Sequence, residues 1–195
     1  MSKTGRIAVF ASGSGTNAER IFEYFRNHPA AEVSLLLSNR TDAFALVRAE
    51  KAGIPSIVFS REDFLSGKVL EQLQFARITH IVLAGFLWLM PESIVRAYSS
   101  KIINIHPALL PAFGGKGMYG MRVHEAVKAS GATATGITIH EVNEHYDEGR
   151  ILLQASCPVD ASDTPDTIAS KVHQLEYLHY PKAIERWMTG TPELN

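Results

Sequence analysis

An amide and an imidazole stand two residues apart at the end of an apolar run. Asn104 and His106 follow Ile102 and Ile103, and Pro107 keeps His106 extended. If a strand continues to residue 106, both side chains point to one face of the sheet. Together they can donate hydrogen bonds to one oxygen, which is how a developing oxyanion is stabilised. The pair therefore indicates oxyanion chemistry, with a satisfied core histidine as the alternative.

A histidine in this role needs a partner, and residues 140–151 offer several acidic side chains. A carboxylate buried beside His106 would orient its ring and raise its pKa. Asp147 lies in a tight polar stretch before the next apolar run. The spacing alone does not decide between Asp147, Glu144 and Glu148.

Two other kinds of chemistry find less support in the sequence. The second half of the chain is rich in histidine, with His106, His124, His140 and His145. No pair of them has the short helical spacing of a metal site, so we predict no metal. There is no G-x-S-x-G motif and Cys157 follows no loop glycine, which disfavours a covalent nucleophile.

A glycine-rich turn at residues 12–18 follows the first apolar run. Gly13 and Gly15 permit close approach of a ligand to the backbone, and the helix start that follows favours an anion. Thr16 and Asn17 add side-chain donors, so a single phosphate fits this turn. A dinucleotide fits less well, because Ser-Asn-Arg stands where an acid should hold the ribose. A turn that binds nothing is the remaining alternative.

The elements that must position these groups alternate between short apolar runs and amphipathic stretches. Solid apolar runs predict strands buried on both faces, as in a parallel sheet. We expect parallel strands at 6–11, 33–38, 55–60, 80–85 and 102–105, and an antiparallel addition from 134–142 and 151–159. Predicted helices pass through Ile21 and Phe25, cover 44–53, follow Pro91, cover 123–130 and run from Thr164 to about Trp187. The predicted fold is α/β, a doubly wound, mostly parallel sheet with helices on both faces.

Length and composition agree with a single domain that has a sizeable core. The 195 residues are 46% hydrophobic and 20% charged with a net charge of -1, which gives no reason to expect nucleic acid or a membrane as partner. The apolar run at 7–11 is shorter than the roughly 7–15 residues of a secretory segment. One cysteine fits a reducing compartment. These features predict a soluble cytoplasmic protein.

Several longer motifs carry a resemblance that runs nearly end to end. They are "FASGSGTN" (10–17), "SNRTDAF" (38–44), "VLAGF" (82–86), "INIHPALLP" (103–111), "GITIHEV" (136–142), "YDEGRILLQ" (146–154) and "VHQLEYLHYP" (172–181). On these the chain resembles the phosphoribosylglycinamide formyltransferase family. The resemblance implies the formyltransferase fold and transfer of a formyl group from 10-formyltetrahydrofolate to the amine of glycinamide ribonucleotide, in purine biosynthesis.

The resemblance also implies residue roles. The catalytic residues it implies are Asn104, His106 and Asp147, with Asp147 raising the pKa of the histidine. The implied ribonucleotide contacts are Gly15, Thr16, Asn17 and Glu176, with His173 one helical turn before Glu176. The implied folate contacts are Arg61, Leu87, Trp88, Leu89, Met90 and Asn104. The implied partners are these small molecules alone, with a monomer or homodimer as the assembly.

Two departures from the family pattern concern the folate contacts. Trp88 stands where the family often has an arginine, and the long Gly-rich loop at 113–121 brings Lys116, which could replace that charge. We expect one domain over 1–195, with a nucleotide-binding half (1–106) and a folate-binding half (107–195).

Three alternatives stay open. Formyltetrahydrofolate hydrolases usually carry an extra N-terminal domain, and methionyl-tRNA formyltransferases a basic C-terminal one. A nonenzymatic nucleotide-binding module would leave Asn104, His106 and Asp147 without a purpose.

Overall fold

The computed structural model describes residues 5–190 and contains one seven-stranded sheet. The strands are β1 (Gly5–Phe10), β2 (Ala31–Ser38), β3 (Ser56–Val58), β4 (His80–Leu83), β5 (Ile102–His106), β6 (Ala134–Glu141) and β7 (Ile151–Pro158). Their order is β3-β2-β1-β4-β5-β6-β7. The first five pair in parallel, whereas β6 and β7 add antiparallel strands at one edge. The predicted fold class and the antiparallel addition are confirmed.

Helices cover both faces of this sheet. They are α1 (Thr16–Phe25), α2 (Phe44–Ala52), α3 (Arg61–Leu65), α4 (Lys68–Phe75), α5 (Glu92–Ala97), α6 (Met121–Ala129) and α7 (Pro165–Thr189). Alternate residues of β1 point to the two faces of the sheet. Ile7 and Val9 belong to the core under α1, α2 and α7. Ala8 and Phe10 belong to the core under α3, α4 and α5. Among residues 5–190, no helix combines the length and the apolar composition that crossing a bilayer requires.

The helix boundaries follow local capping chemistry. The long helix α7 begins after Thr164, whose hydroxyl accepts from the Thr167 N–H, and Pro165 takes the first helical position, as predicted. Gly53 ends α2 in a left-handed conformation, also as predicted. The short helices α3 and α4 were not predicted. Ser60 caps α3 through a capping box with Asp63.

One buried tyrosine fixes α7 against the sheet. Tyr180 is fully buried, and its hydroxyl donates to the carbonyl oxygen of Leu83, the last residue of β4, at 2.8 Å. Glu176 lies one turn earlier on the same helix and is also buried. The carboxyl ends of the central strands therefore face a helix that brings a buried carboxylate to them.

Candidate active site

A cleft of about 680 Å³ opens beyond the carboxyl ends of β1, β4 and β5. This is where open α/β sheets bind their ligands, and the volume suits small molecules. Every site residue named from the sequence lines the cleft except Arg61: Gly15, Thr16, Asn17, Leu87, Trp88, Leu89, Met90, Asn104, His106, Asp147 and Glu176. The structure thus brings residues from distant segments together in one place.

The register of β5 and β6 places four polar side chains in two facing pairs. Strand β5 continues to residue 106, and Asn104 lies opposite His140 while His106 lies opposite Thr138. Directly opposed residues of antiparallel strands share a face, so the side chains of these pairs are neighbours. Asn104 Nδ2 lies 3.2 Å from His140 Nε2.

Asp147 reaches this group from the turn between β6 and β7. Its Oδ2 lies 3.5 Å from His106 Nδ1, and its Oδ1 lies 3.5 Å from His140 Nε2. The Gly115 N–H donates to Oδ2 at 2.9 Å. The turn closes tightly because Gly149 has no side chain: a Cβ there would stand 1.6 Å from the Glu141 carbonyl oxygen.

The His106 ring is held from its other side by the loop after β5. Its Nε2 donates to the carbonyl oxygen of Phe113 at 2.8 Å, and the ring is almost fully buried. Burial lowers the pKa of His106 below 6.5, although Asp147 and the Phe113 carbonyl act in the opposite direction. The expected effect of the carboxylate, which raises this pKa, is therefore present, but desolvation of the ring lowers the pKa by more.

Asp147 itself stays ionised at neutral pH. Burial raises the pKa of its carboxyl, but the neighbouring His140 ring, the charge of His106 and the Gly115 N–H lower it, and the net pKa lies below 3.8. The site therefore holds one carboxylate between two imidazoles. A proton arriving on His106 would form an ion pair with Asp147 at once.

The glycine turn forms the opposite end of the cleft. Gly15 precedes α1 with a positive φ of 71°, and a Cβ there would stand 2.6 Å from the Cα of Ala45. Only glycine suits this combination of backbone angle and close packing. Gly13 is different, because a Cβ at that position would meet nothing within 4 Å. The turn thus presents the N-terminal N–H groups of α1 to open space, an arrangement that suits an anion.

A buried polar cluster lies beside this turn. Glu176 Oε2 accepts from Asn17 Nδ2 at 2.9 Å and pairs with His173 Nδ1 at 2.7 Å. The hydrogen bond to Glu176 raises the pKa of His173. Two buried atoms of the cleft residues, Asn17 Oδ1 and His124 Nδ1, have no hydrogen-bond partner in the part of the chain described here. A polar ligand in the cleft would supply hydrogen-bond partners for these two atoms.

An apolar wall lies between these two ends. Trp88 packs edge-on against Phe59 and Phe86, and the backbone N–H of Leu87 donates to Ser12 Oγ at 3.1 Å. Arg61 does not enter the cleft. Its guanidinium lies over the Trp88 ring, 5.5 Å from the centroid, and lines a neighbouring groove instead.

Some residues of the site carry no clear signal in the sequence. The Phe113 carbonyl contacts His106, and the Gly115 N–H contacts Asp147. Both are backbone groups, so the residue types at 113 and 115 give no sign of these contacts. His140 could have been found, because an antiparallel pairing of 102–106 with 134–141 places it opposite Asn104. Within residues 5–190, no group of three or more potential ligands could hold a metal ion.

Comparison with known proteins agrees with this geometry. The sequence profile of the family described as formyl transferase matches residues 5–184. The chloroplastic phosphoribosylglycinamide formyltransferase of Arabidopsis thaliana is 42% identical over 186 residues, which are 92% of this chain and 64% of that protein. The chain thus spans less than two thirds of the length of this plant relative.

Bacterial relatives match over nearly their whole length. The phosphoribosylglycinamide formyltransferase of Bacillus subtilis is 36% identical over 93% of both chains. The crystal structure of the Anaplasma phagocytophilum phosphoribosylglycinamide formyltransferase covers 99% of this chain and 91% of its own, with 32% identity and a TM-score of 0.88. A family profile over almost the entire chain and relatives of matching length lead to one conclusion: the chain belongs to the formyl transferase family, within its phosphoribosylglycinamide formyltransferase group.

Proposed function

We propose that this chain transfers the formyl group of 10-formyltetrahydrofolate to the amine of N1-(5-phosphoribosyl)glycinamide, a step of de novo purine biosynthesis. The observation that carries the proposal is the position of Asp147, 3.5 Å from His106 Nδ1 at one end of a cleft whose other end is a glycine turn. The B. subtilis and A. thaliana relatives, both called phosphoribosylglycinamide formyltransferase, support the same reaction.

The reaction needs a group that stabilises negative charge on the formyl oxygen. The free amine attacks the formyl carbon, so a carbon–nitrogen bond forms and the oxygen becomes an oxyanion. The Asn104 amide donates to that oxygen and the positive charge of protonated His106 lies beside it, which is a strong electrostatic contribution inside a buried site. Collapse then breaks the bond to the folate nitrogen and returns the carbonyl.

Asp147 has two tasks in this scheme. Its charge stabilises the imidazolium of His106, offsetting the burial that keeps the ring neutral in this structure. It also moves the proton that the attacking amine loses to the folate nitrogen that leaves, with one water as the carrier. No bond to the protein forms, and we expect no metal to take part.

The two substrates occupy the two remaining parts of the cleft. The phosphate end of the ribonucleotide lies on the turn of Gly15, Thr16 and Asn17, and Glu176 accepts from its glycinamide end. The flat pterin ring packs along residues 87–90, an apolar segment held by Ser12. Holding both substrates in line supplies much of the rate acceleration. Arg61, in the groove that adjoins the cleft, and Lys116, which lines the cleft, are the proposed cations for the acidic folate tail.

Three broader expectations accompany the proposal. The division into a nucleotide-binding half (1–106) and a folate-binding half (107–195) stays a prediction, and residues 1–4 and 191–195 lie outside the described structure. Asn17 and Glu176, one from each half, share a hydrogen bond, so both halves contribute to the ribonucleotide end. The proposed compartment is the cytoplasm, in keeping with the free thiol of Cys157, and the proposed assembly is a monomer or a homodimer.

One assay tests the proposal against hydrolysis. The purified chain is given 10-formyltetrahydrofolate with and without glycinamide ribonucleotide, and both folate consumption and the mass of the ribonucleotide product are followed. The proposal predicts consumption that depends strictly on the amine and a product heavier by one formyl group. Equal consumption without the amine would mean that water is the acceptor.

A further inference from the structure

His140 has a hydrogen-bonding pattern that fixes where its proton sits. The ring is buried, and Nδ1 lies 2.8 Å from the carbonyl oxygen of Glu141. A carbonyl oxygen can only accept, so Nδ1 must carry the hydrogen. The neutral ring then has a bare Nε2, which can accept a hydrogen bond but cannot donate one.

That bare nitrogen decides how the Asn104 amide is oriented. The amide nitrogen lies 3.2 Å from His140 Nε2. A side-chain amide has an oxygen and a nitrogen of nearly equal shape, and only its surroundings decide which faces which way. Rotating this amide by half a turn would bring its oxygen against a lone pair, so the neutral ring holds the NH₂ group in place.

Strand pairing explains why the two side chains meet so closely. Asn104 and His140 are directly opposed in the β5–β6 ladder. The register of β6 against β7 shifts between Ile139 and His140, where β7 has one extra residue, Leu152. Such irregularities re-aim side chains next to active sites, and His140 lines the cleft.

A second neighbour competes for the same nitrogen. Asp147 Oδ1 lies 3.5 Å from His140 Nε2, farther than the Asn104 amide nitrogen. A protonated His140 would donate to Asp147 and release Asn104, and it would also weaken the hold of that carboxylate on His106. Asp147 is already held by the Gly115 N–H. The neutral ring of His140 therefore keeps its Nε2 for Asn104.

We propose that His140 is a positioning residue, whose bare Nε2 holds the Asn104 amide so that its second N–H is directed at the formyl oxygen. The proposal rests on the proposed function, because that oxygen belongs to the formyl group. His140 touches neither substrate in this scheme and acts through Asn104 alone.

A double-mutant cycle separates this role from a merely structural one. His140→Phe keeps the ring volume and removes the acceptor, and Asn104→Ala removes the amide. His140→Phe should lower kcat about tenfold, because the loss of one hydrogen bond in the transition state changes the rate by about that factor. Both KM values should stay within twofold of those of the parent chain. In the Asn104→Ala background the same change should lower kcat no further. A full tenfold loss in that background, or an unchanged kcat in the single variant, would overturn the proposal.

A control variant and a spectroscopic measurement complete the test. His80→Phe replaces a half-buried histidine at the opposite end of the central strands, where its ring packs on Trp187, and should leave kcat unchanged. Nitrogen NMR of the unsubstituted full chain reports the protonation of each imidazole nitrogen without any assay. It should show His140 with a protonated Nδ1 and a bare Nε2 at the pH of maximal activity, and a protonated Nε2 would refute the proposal. A chain that transfers no formyl group would refute the proposed function and leave this measurement valid.

Discussion

The two ends of the cleft differ in how completely the protein satisfies its own polar groups. At the proposed reaction end, formed by His106, His140 and Asp147, each imidazole has one nitrogen on a backbone carbonyl and faces Asp147 with the other. At the proposed ribonucleotide end, beside the glycine turn, Asn17 Oδ1 and His124 Nδ1 are buried without partners in the part of the chain that the structure describes. One end is organised before any ligand arrives, and the other is left for a ligand to complete. The first should control kcat and the second should control affinity.

The backbone shows the same contrast. Around the reaction end, Phe113 and Asp147 both adopt positive φ values, 56° and 58°, although neither is glycine. Such residues cost on the order of 1–3 kcal/mol each and cluster at active sites. At the ribonucleotide end the left-handed position is taken by Gly15, which has no such cost. Between the two ends of the cleft, such strain thus belongs to the segments that hold His106 and Asp147; Arg77 and Ser100, away from the cleft, also have positive φ values.

The largest effect is expected from removing the imidazole of the reaction end. His106→Ala should lower kcat on the order of 10²–10³-fold, because the positive group that stabilises the oxyanion is lost. The KM values of both substrates should change little, since the interaction forms only in the transition state. Steady-state kinetics with each substrate varied in turn measures both quantities. Near-normal turnover would remove His106 from the chemistry.

A smaller effect is expected at the ribonucleotide end, and on affinity alone. Asn17→Ala removes a donor to Glu176 and the unpartnered Oδ1, so the ribonucleotide should bind about 10–100-fold more weakly, as for one or two hydrogen bonds near a charge. Folate affinity should stay the same. Separate calorimetric titrations of the two ligands, with the exposed Glu23→Ala on the same helix as control, measure this difference. Equal weakening of both ligands would contradict the division of the cleft.

The next effect concerns the stability of the glycine turn. Gly15→Ala and Gly53→Ala both place a side chain at a φ near 70°, which costs about 1–2 kcal/mol. Only at residue 15 would the new Cβ collide, 2.6 Å from the Cα of Ala45, and such overpacking adds about 1–3 kcal/mol. Urea unfolding should therefore show a larger loss for Gly15→Ala than for Gly53→Ala. Equal losses would mean that the turn relaxes freely.

The smallest effect is the pH dependence of stability that comes from His106. Its pKa in the folded chain lies below 6.5, so the unfolded chain binds more protons, and stability falls as the pH drops below about 6.5. His124 contributes with the same sign, whereas His173, with a raised pKa, contributes with the opposite one. His106→Gln should make the loss of unfolding free energy between pH 7 and pH 5.5 shallower. If the unfolding free energy of the variant changed with pH as steeply as that of the parent, the His106 ring would not be desolvated in the folded chain.

The parallel half of the fold could be predicted because its patterns are local. Buried parallel strands appear as solid apolar runs, and Thr164-Pro165 and Gly53 mark helix ends through their own chemistry. Helices α3 and α4 were missed because they are short, with five and eight residues, and present few apolar positions. Periodicity needs several turns before it stands out.

The site was predictable in its side chains and not in its backbone contacts. The strand exits gave Asn104 and His106, but spacing alone left three carboxylates open, and the family resemblance selected Asp147. The turn that Gly149 permits decides which carboxylate approaches His106. That turn depends on packing against Glu141 in the folded chain, which the sequence pattern does not show. The sequence predicted the carboxylate that raises the pKa of His106, but not the depth of burial, which lowers that pKa by more. The assignment of Arg61 to the folate stays a prediction; its guanidinium packs on Trp88, which lines the cleft.

The rate of a single turnover in Asp147→Asn tests the central claim most directly. The substitution keeps the size of the side chain and removes its charge, so His106 loses the group that favours its protonated form. With both substrates saturating, the rate of formyl transfer should fall by at least about 10²-fold, and ribonucleotide affinity should be unchanged. A rate close to that of the parent chain, measured at the same ribonucleotide affinity, would contradict the account.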